Sequence, residues 1–235
     1  MDVERVVASI DRLRSSDLAS GELNGSLQAV VDATCTIFGA DGAGIMLIDE
    51  QQALHYVGAT DGRAAALEAA QEETGEGPCI DSLMHDRAVC TDDLQGDARW
   101  PALVACIGAL SIRSILGVPI RLGGSAVGSL NAYRCEPYRW DASEIDAMQA
   151  HARIVEELIG TAVLAQERNA VVDQLTRALE HRVTIERAIG VVMATHGIDA
   201  VPAFDRLRRE ARAGRRRVSE VAAEVLERRC LTGPT

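Results

Sequence analysis

The sequence predicts an α+β fold: an antiparallel sheet flanked by helices, a long connecting helix, and a C-terminal three-helix bundle. Three observations predict it. Two β-rich runs, "SIRSILGVPIRL" and "SAVGSLNAYR", flank a "GG" pair at 123–124, the signature of a tight hairpin. From Asp141 the apolar residues Ile145, Met148, Ala152, Val155, Ile159 and Ala162 step by three and four, which is the period of a long helix. After residue 180 only short helical patterns remain, and the formal charge there has changed sign.

Residues 2–14 have helical spacing, with Val3, Val6, Val7, Ile10 and Leu13 on one side. A second helix over about 23–38 turns Leu23, Leu27, Val30, Val31, Thr34 and Ile37 inward. "GAGIMLID" at 42–49 and "ALHYVGAT" at 53–60 read as paired strands across a polar turn. Residues 61–73 read as helix. "GEGP" at 75–78 breaks the chain and opens a short helix over "CIDSLMHD". "AVCTD" is a short strand, and Pro101 opens a helix over "PALVACIGA". Pro119 in the first hairpin strand demands an edge position or a bulge.

The long helix leaves two readings open. Ile145, Met148, Val155 and Ile159 form a seam by which two copies of the chain could pair, or they pack on the chain's own sheet. "AQERNA" at 165–170 interrupts the seam, and Val172, Leu175 and Leu179 resume it. Two domains are expected, 1–165 and 166–235. In the second, Gly197 fits a helix C-cap, Asp199 an N-cap, and Pro202 the first turn of the next helix. That helix buries Phe204, Leu207 and Ala211 and ends at Gly214. The last helix buries Val218, Val221, Ala222, Val225 and Leu226.

Charge separates the two parts. Residues 1–165 carry 11 arginines and 25 acids, −14, whereas residues 166–235 carry 13 arginines and 10 acids, +3. There is no lysine. An acidic body repels phosphate backbones and anionic membranes, so any nucleic-acid contact is expected from the C-terminal part. From Arg206 to Arg217 there are seven arginines and one acid, Glu210. Arg215, Arg216 and Arg217 sit at the start of the last helix, whose N-terminus is itself partly positive. A bound anion would relieve that conflict; a solvated charged loop is the alternative.

Other chemistry finds no support in the residues. The six cysteines show no C-x-x-C pairing, and no two histidines have i, i+4 ligand spacing, so neither a metal nor a catalytic centre is expected. No cofactor is expected. Cys79, after Pro78, reads either as a thiol exposed at a helix start or as a buried inert one. Trp100 reads as a core anchor. The longest uncharged apolar stretch, 102–112, is too short to span a bilayer. The N-terminus mixes acids with arginines, unlike a signal peptide, so a cytoplasmic location is expected.

Two resemblances sharpen this. "ALEHRVTIERAIGVVMATHGIDAVPAFDRLRREARAGRRRVSEVAAEVL" resembles an ANTAR domain, the RNA-binding module of bacterial transcription antitermination regulators. The features that carry it are "AL" with Arg182, "AIGVVM" ending in Met193, "AFDRLR" around Phe204 and Leu207, and a basic turn leading into "VAAEV". The family often has lysine where Ile189 stands here. Upstream, "GPCIDSL", "DARWPAL", "IRSILGVPI" and "GSLNAYR" resemble a GAF domain over about 20–165, so the sheet is expected to be GAF-type. The resemblance implies an RNA-binding regulator that grips paired hairpin loops in nascent mRNA leaders as a homodimer, with signal input through GAF. The GAF ligand, if there is one, is not specified; a small molecule at that domain is the implied class. The RNA-contacting set expected is Arg182, Arg208, Arg209, Arg212, Arg215, Arg216 and Arg217. Two rival readings stand beside it: a small-molecule or redox sensor acting through protein contacts, and a helix-turn-helix DNA-binding regulator.

Overall fold

The structure is a computed structural model. It describes residues 23–49, 54–164, 170–214 and 216–230. The expected helix over 2–14, the turn after β1, the break at 165–169 and Arg215 lie outside the described residues. The chain divides into two compact units, one up to Val172 and one from Asp173 on, with Ile48 and Asp49 grouped in the second.

The first unit is built on five strands in the order β2-β1-β5-β4-β3. They are β1 (Gly42–Ile48), β2 (Leu54–Ala59), β3 (Val89–Thr91), β4 (Ser114–Leu122) and β5 (Ser125–Arg134). β1 pairs antiparallel with β5, and β4 pairs antiparallel with both β5 and β3. The expected hairpin forms as a two-residue turn: Leu122 pairs with Ser125, and Gly123 and Gly124 take φ of 61° and 83°. Both angles are in the left-handed region that glycine tolerates without strain. Pro119 lies one pair from the register shift at Ile120/Arg121 and beyond the reach of β3, which stops opposite Gly117. Its missing N–H therefore falls where the outer edge of β4 is free.

Helices cover both faces of the sheet, which is why β1 is buried at every position. α1 (Leu23–Phe38) and α5 (Ala142–Leu164) pack together, and α5 lies on β4. α2 (Gly62–Thr74), α3 (Pro78–His85) and α4 (Pro101–Ile107) belong to the opposite face. Local chemistry sets their ends. Asp61 caps α2 by accepting from the Ala64 N–H at 2.8 Å, and Gly75 closes it in a left-handed conformation. α5 opens on a capping box: Asp141 Oδ1 accepts from the Glu144 N–H at 2.9 Å, and Glu144 Oε2 accepts from the Asp141 N–H at 3.0 Å. Trp100 is buried with Leu67, Leu103 and Ile115, and its indole N–H donates to Asp81 at 3.0 Å.

One of the two readings of the long helix is now excluded as a surface. Met148, Val155 and Ile159 are fully buried within the single chain, and Ile145 is half-buried. The three-and-four seam faces α1 and the chain's own sheet, so these residues are not free to form a seam between copies. The physical reason is that one apolar stripe serves either purpose, and here it is covered by β4 and α1. The consequence is testable. Val155→Glu places an unpaired charge in a sealed core, at a cost of several kcal/mol, on the scale of a domain's whole stability. Thermal melts should show loss of cooperative folding. A soluble variant melting like the wild type, with only its oligomeric state changed, would contradict the packing.

The second unit is helical. α6 (Ala170–His196) runs without interruption, where the sequence suggested a seam segment followed by a separate helix. No glycine or proline stands between Ala170 and Ala188 to break it. Gly197, at φ 64°, ends it by donating to the Met193 carbonyl at 2.8 Å. α7 (Ala200–Gly214) starts immediately after Asp199, and α8 (Val218–Cys230) follows a short turn. Ile185, Ala188 and Val192 of α6, Ala203, Phe204, Leu207 and Ala211 of α7, and Val218, Val221 and Ala222 of α8 are buried. Among the described residues no helix is long and apolar enough to cross a membrane.

Candidate nucleic-acid interface and a buried polar cluster

The buried stripe of α7 fixes which residues face solvent. With Ala203, Phe204, Leu207 and Ala211 inward, Arg206 and Arg209 are exposed at i and i+3, neighbours on the helix surface. Arg208 is half-buried beside the Phe204 ring, its guanidinium 5.8 Å from the ring centroid. The backbone of Arg212 belongs to the same helix; its side chain, like all of Arg215, is outside the described residues. Among the described side chains, the solvent side of α7 carries Arg206 and Arg209, about one turn apart, and Ala213 beyond them is exposed but uncharged. Sequence reading placed the arginines at the turn and left out Arg206. Its position relative to the apolar stripe was the available signal.

At the turn itself the arginines are not equivalent. Arg216 Nη1 donates to Glu224 Oε2 at 2.6 Å, and its Nε lies 3.9 Å from Glu220 Oε2. Arg228 also donates to Glu224, from the other side. Acids in the first two turns of α8 thus answer the arginine at its positive end, the conflict for which an external anion was the expected remedy. The pairing holds the Glu224 carboxyl below its usual range and raises Arg216. Arg217 is exposed. Arg182, on α6, donates to Glu186 at 2.7 Å, an i, i+4 pair, and Ile189 is half-buried. The expected set is therefore split: Arg208 and Arg209 share α7, Arg216 and Arg217 flank α8, and Arg182 stands on another helix.

A shallow groove open to solvent, of about 540 Å³, runs between the three helices. Val192, Leu207 and Val225 supply apolar lining, and Arg206, Glu210 and Arg228 come from α7 and α8.

In the first unit a polar cluster is sealed between α2, α3 and the sheet. Glu68 of α2 is 1% exposed. Its Oε1 accepts from Asn131 Nδ2 at 2.9 Å, and its Oε2 accepts from Gln71 Nε2 at 3.1 Å. The Cys79 thiol lies 3.5 Å from the same Oε2 and accepts from Gln71 at 2.7 Å. Ser129 donates to Asn131 Oδ1 at 2.6 Å, and Ser82 and Ser129 share a 2.8 Å hydrogen bond. Two glycines leave room: a Cβ at Gly44 would stand 2.8 Å from Glu68 Oε1, and one at Gly117 only 3.0 Å from the Pro78 carbonyl. Burial pushes the Glu68 carboxyl up to about 7, against the lowering effect of its neutral donors. Burial first, then the field of Glu68, pushes the Cys79 thiol well above its ordinary value. Cys79 is thus the buried thiol, not the exposed one, and it is poorly suited to nucleophilic or redox chemistry. Among the described residues no group of three or more His, Cys, Asp or Glu side chains is arranged to hold a metal.

A five-stranded sheet sealed between helices is followed by a helical unit with exposed arginines. The chain belongs to the GAF-domain family, whose model matches residues 22–159, and it carries an ANTAR domain at residues 173–226. No curated protein matches the chain. Solved structures are similar in fold. The GAF domain of a phosphoenolpyruvate-protein phosphotransferase from Coxiella burnetii superposes with a TM-score of 0.56 at 15% identity, covering 71% of this chain and 99% of that one. A domain of a putative two-component sensor histidine kinase protein from Sinorhizobium meliloti gives 0.53 at 20% identity, covering 64% and 100%. Free methionine-R-sulfoxide reductase from Neisseria meningitidis gives 0.54 at 17% identity, covering 68% and 91%. At these identities the likeness concerns the fold alone.

Proposed function

We propose that this chain is a cytoplasmic, RNA-binding regulator of transcription antitermination. Its ANTAR domain binds hairpin loops in nascent mRNA leaders, and its GAF domain supplies signal input. The observation that carries the proposal is the ANTAR match over 173–226 together with the exposed arginines Arg206 and Arg209 of α7 inside it. Guanidinium forks suit phosphates and unstacked loop bases, because both are accessible outside a duplex groove. The acidic first domain keeps the remainder of the chain off the RNA. Stabilising one hairpin arrangement prevents the terminator stem from forming. Holding two loops at once requires two bundles, hence a homodimer, and its interface is a surface other than the inward α5 seam. The role is regulatory, not catalytic.

Gel shifts with the full-length protein test the proposal. Hairpin RNA with an open loop should be retained in preference to the same stem closed as a duplex and to duplex DNA of equal length. Equal retention of duplex DNA would favour a DNA-binding regulator instead. Retention of no nucleic acid at all would favour a sensor acting through protein contacts.

A further inference from the structure

Glu210 is anomalous on the face just described. It is the only acid between Arg206 and Arg217, it is exposed on α7, and it lines the groove between the helices. Among the described residues it makes no hydrogen bond or close ion pair, and acts on Arg216 only through its field. On a surface that attracts phosphates a solvated carboxylate lowers affinity for every polyanion. A carboxylate is useful there if it accepts hydrogen bonds from a base edge. The groove supplies the rest of such a site. Val192 and Leu207, both buried, and the half-buried Val225 give an apolar lining for the face of a base. Arg206 lies in the same lining to meet a flanking phosphate, whereas Arg228 is paired with Glu224.

We infer that the groove between α6, α7 and α8 takes one unstacked loop base, and that Glu210 reads its Watson–Crick edge. The base that fits is guanine. It presents two adjacent donors, N1–H and the N2 amino group, and a carboxylate has two acceptor oxygens to match them. Adenine and cytosine present one amino donor each, and uracil one imide N–H between carbonyls that repel the carboxylate. Glu210 is therefore a specificity-determining residue, and the inference rests on the RNA reading above.

The sign of one substitution separates this from a passive surface acid. If Glu210 is only solvated, Glu210→Gln removes a negative charge and should tighten binding to every RNA. If it reads guanine, the same change should weaken the preferred loops by about tenfold or more. The probe is a pool of RNA hairpins with randomised loops, selected on the full-length wild type and on the variant. Asp205→Asn, on the exposed side of the same helix and outside the groove lining, is the charge control. Wild-type selection should enrich guanine at one loop position. Inosine there, which lacks the N2 amino group, should weaken the wild type and leave E210Q unaffected. Asp205→Asn should keep the guanine preference and bind all loops at least as tightly. Three results would overturn the inference alone: loops bound without any guanine requirement, the same preference in E210Q, or selected loops bound by E210Q as tightly as by the wild type. A wild type that retains no hairpin would overturn the RNA reading and this inference with it. Matching melting curves for the three proteins show that the fold is intact.

Discussion

Between pH of about 4.5 and 7 the wild-type chain should lose about 3 kcal/mol of stability that a Glu68→Gln variant does not lose. The ordinary carboxyl value is 4.5, and the buried Glu68 sits at about 7. In that interval the folded state holds a proton that the unfolded state has released, so stability falls as pH rises. The contribution is fully present below about 4.5 and is gone once pH has passed the folded value. A difference of this size, at about 1.4 kcal/mol per unit, gives the stated figure. The cause is geometric. Glu68 is enclosed by neutral partners, Asn131, Gln71 and the Cys79 thiol, with no cation among them. Asp97, nearer the surface, behaves in the opposite sense: Arg99 holds it down to about 2, so its contribution is lost only in strong acid. Gln at 68 also turns an amino group toward donors, which lowers stability by a pH-independent amount. The slope is therefore what matters. Urea unfolding midpoints for both proteins across this range should diverge; parallel curves would mean that Glu68 is not enclosed as described.

The largest effect on binding should come from the solvent side of α7. Changing Arg206 and Arg209 together to Ala should weaken hairpin binding roughly tenfold or more near physiological salt, with the salt slope reduced by about 0.7 for each phosphate no longer neutralised. Both side chains are exposed, so melting should change little. Arg216→Ala should behave differently. It removes the partner of Glu224 and lowers stability only slightly, as expected for an exposed ion pair, with a smaller effect on RNA. An unchanged salt slope in the α7 double variant would show those arginines to be a solvated surface.

The legible parts of the fold were those written in local chemistry. The glycine pair at 123–124, the cap at Gly197 and the proline at 101 each force a conformation that few other residues would share. The destination of the α5 seam was not legible, because a three-and-four stripe reads the same whether it meets another copy or its own sheet. The cluster around Glu68 left a faint trace. Glu68 and Gln71 follow Ala64 and Leu67 on one face of α2, where helical period calls for apolar residues. A polar residue on an inward stripe signals a buried network, yet its partners Cys79, Ser129 and Asn131 come from distant elements. The arginines were conspicuous in the sequence, but their division was not. Only the placement of Glu220, Glu224 and the apolar stripe of α7 distinguishes Arg216, held within the protein, from Arg206 and Arg209.

On the proposed function, the C-terminal bundle meets hairpin loops of nascent transcripts. Crosslinking the full-length protein to RNA in its own cells, followed by sequencing of the bound fragments, tests it most directly. Leader fragments carrying hairpin loops close upstream of terminator stems should be recovered, and should be depleted when Arg206 and Arg209 are changed to Ala. Recovery of no RNA above an uncrosslinked control, or of fragments without hairpins and indifferent to the α7 substitutions, would contradict it.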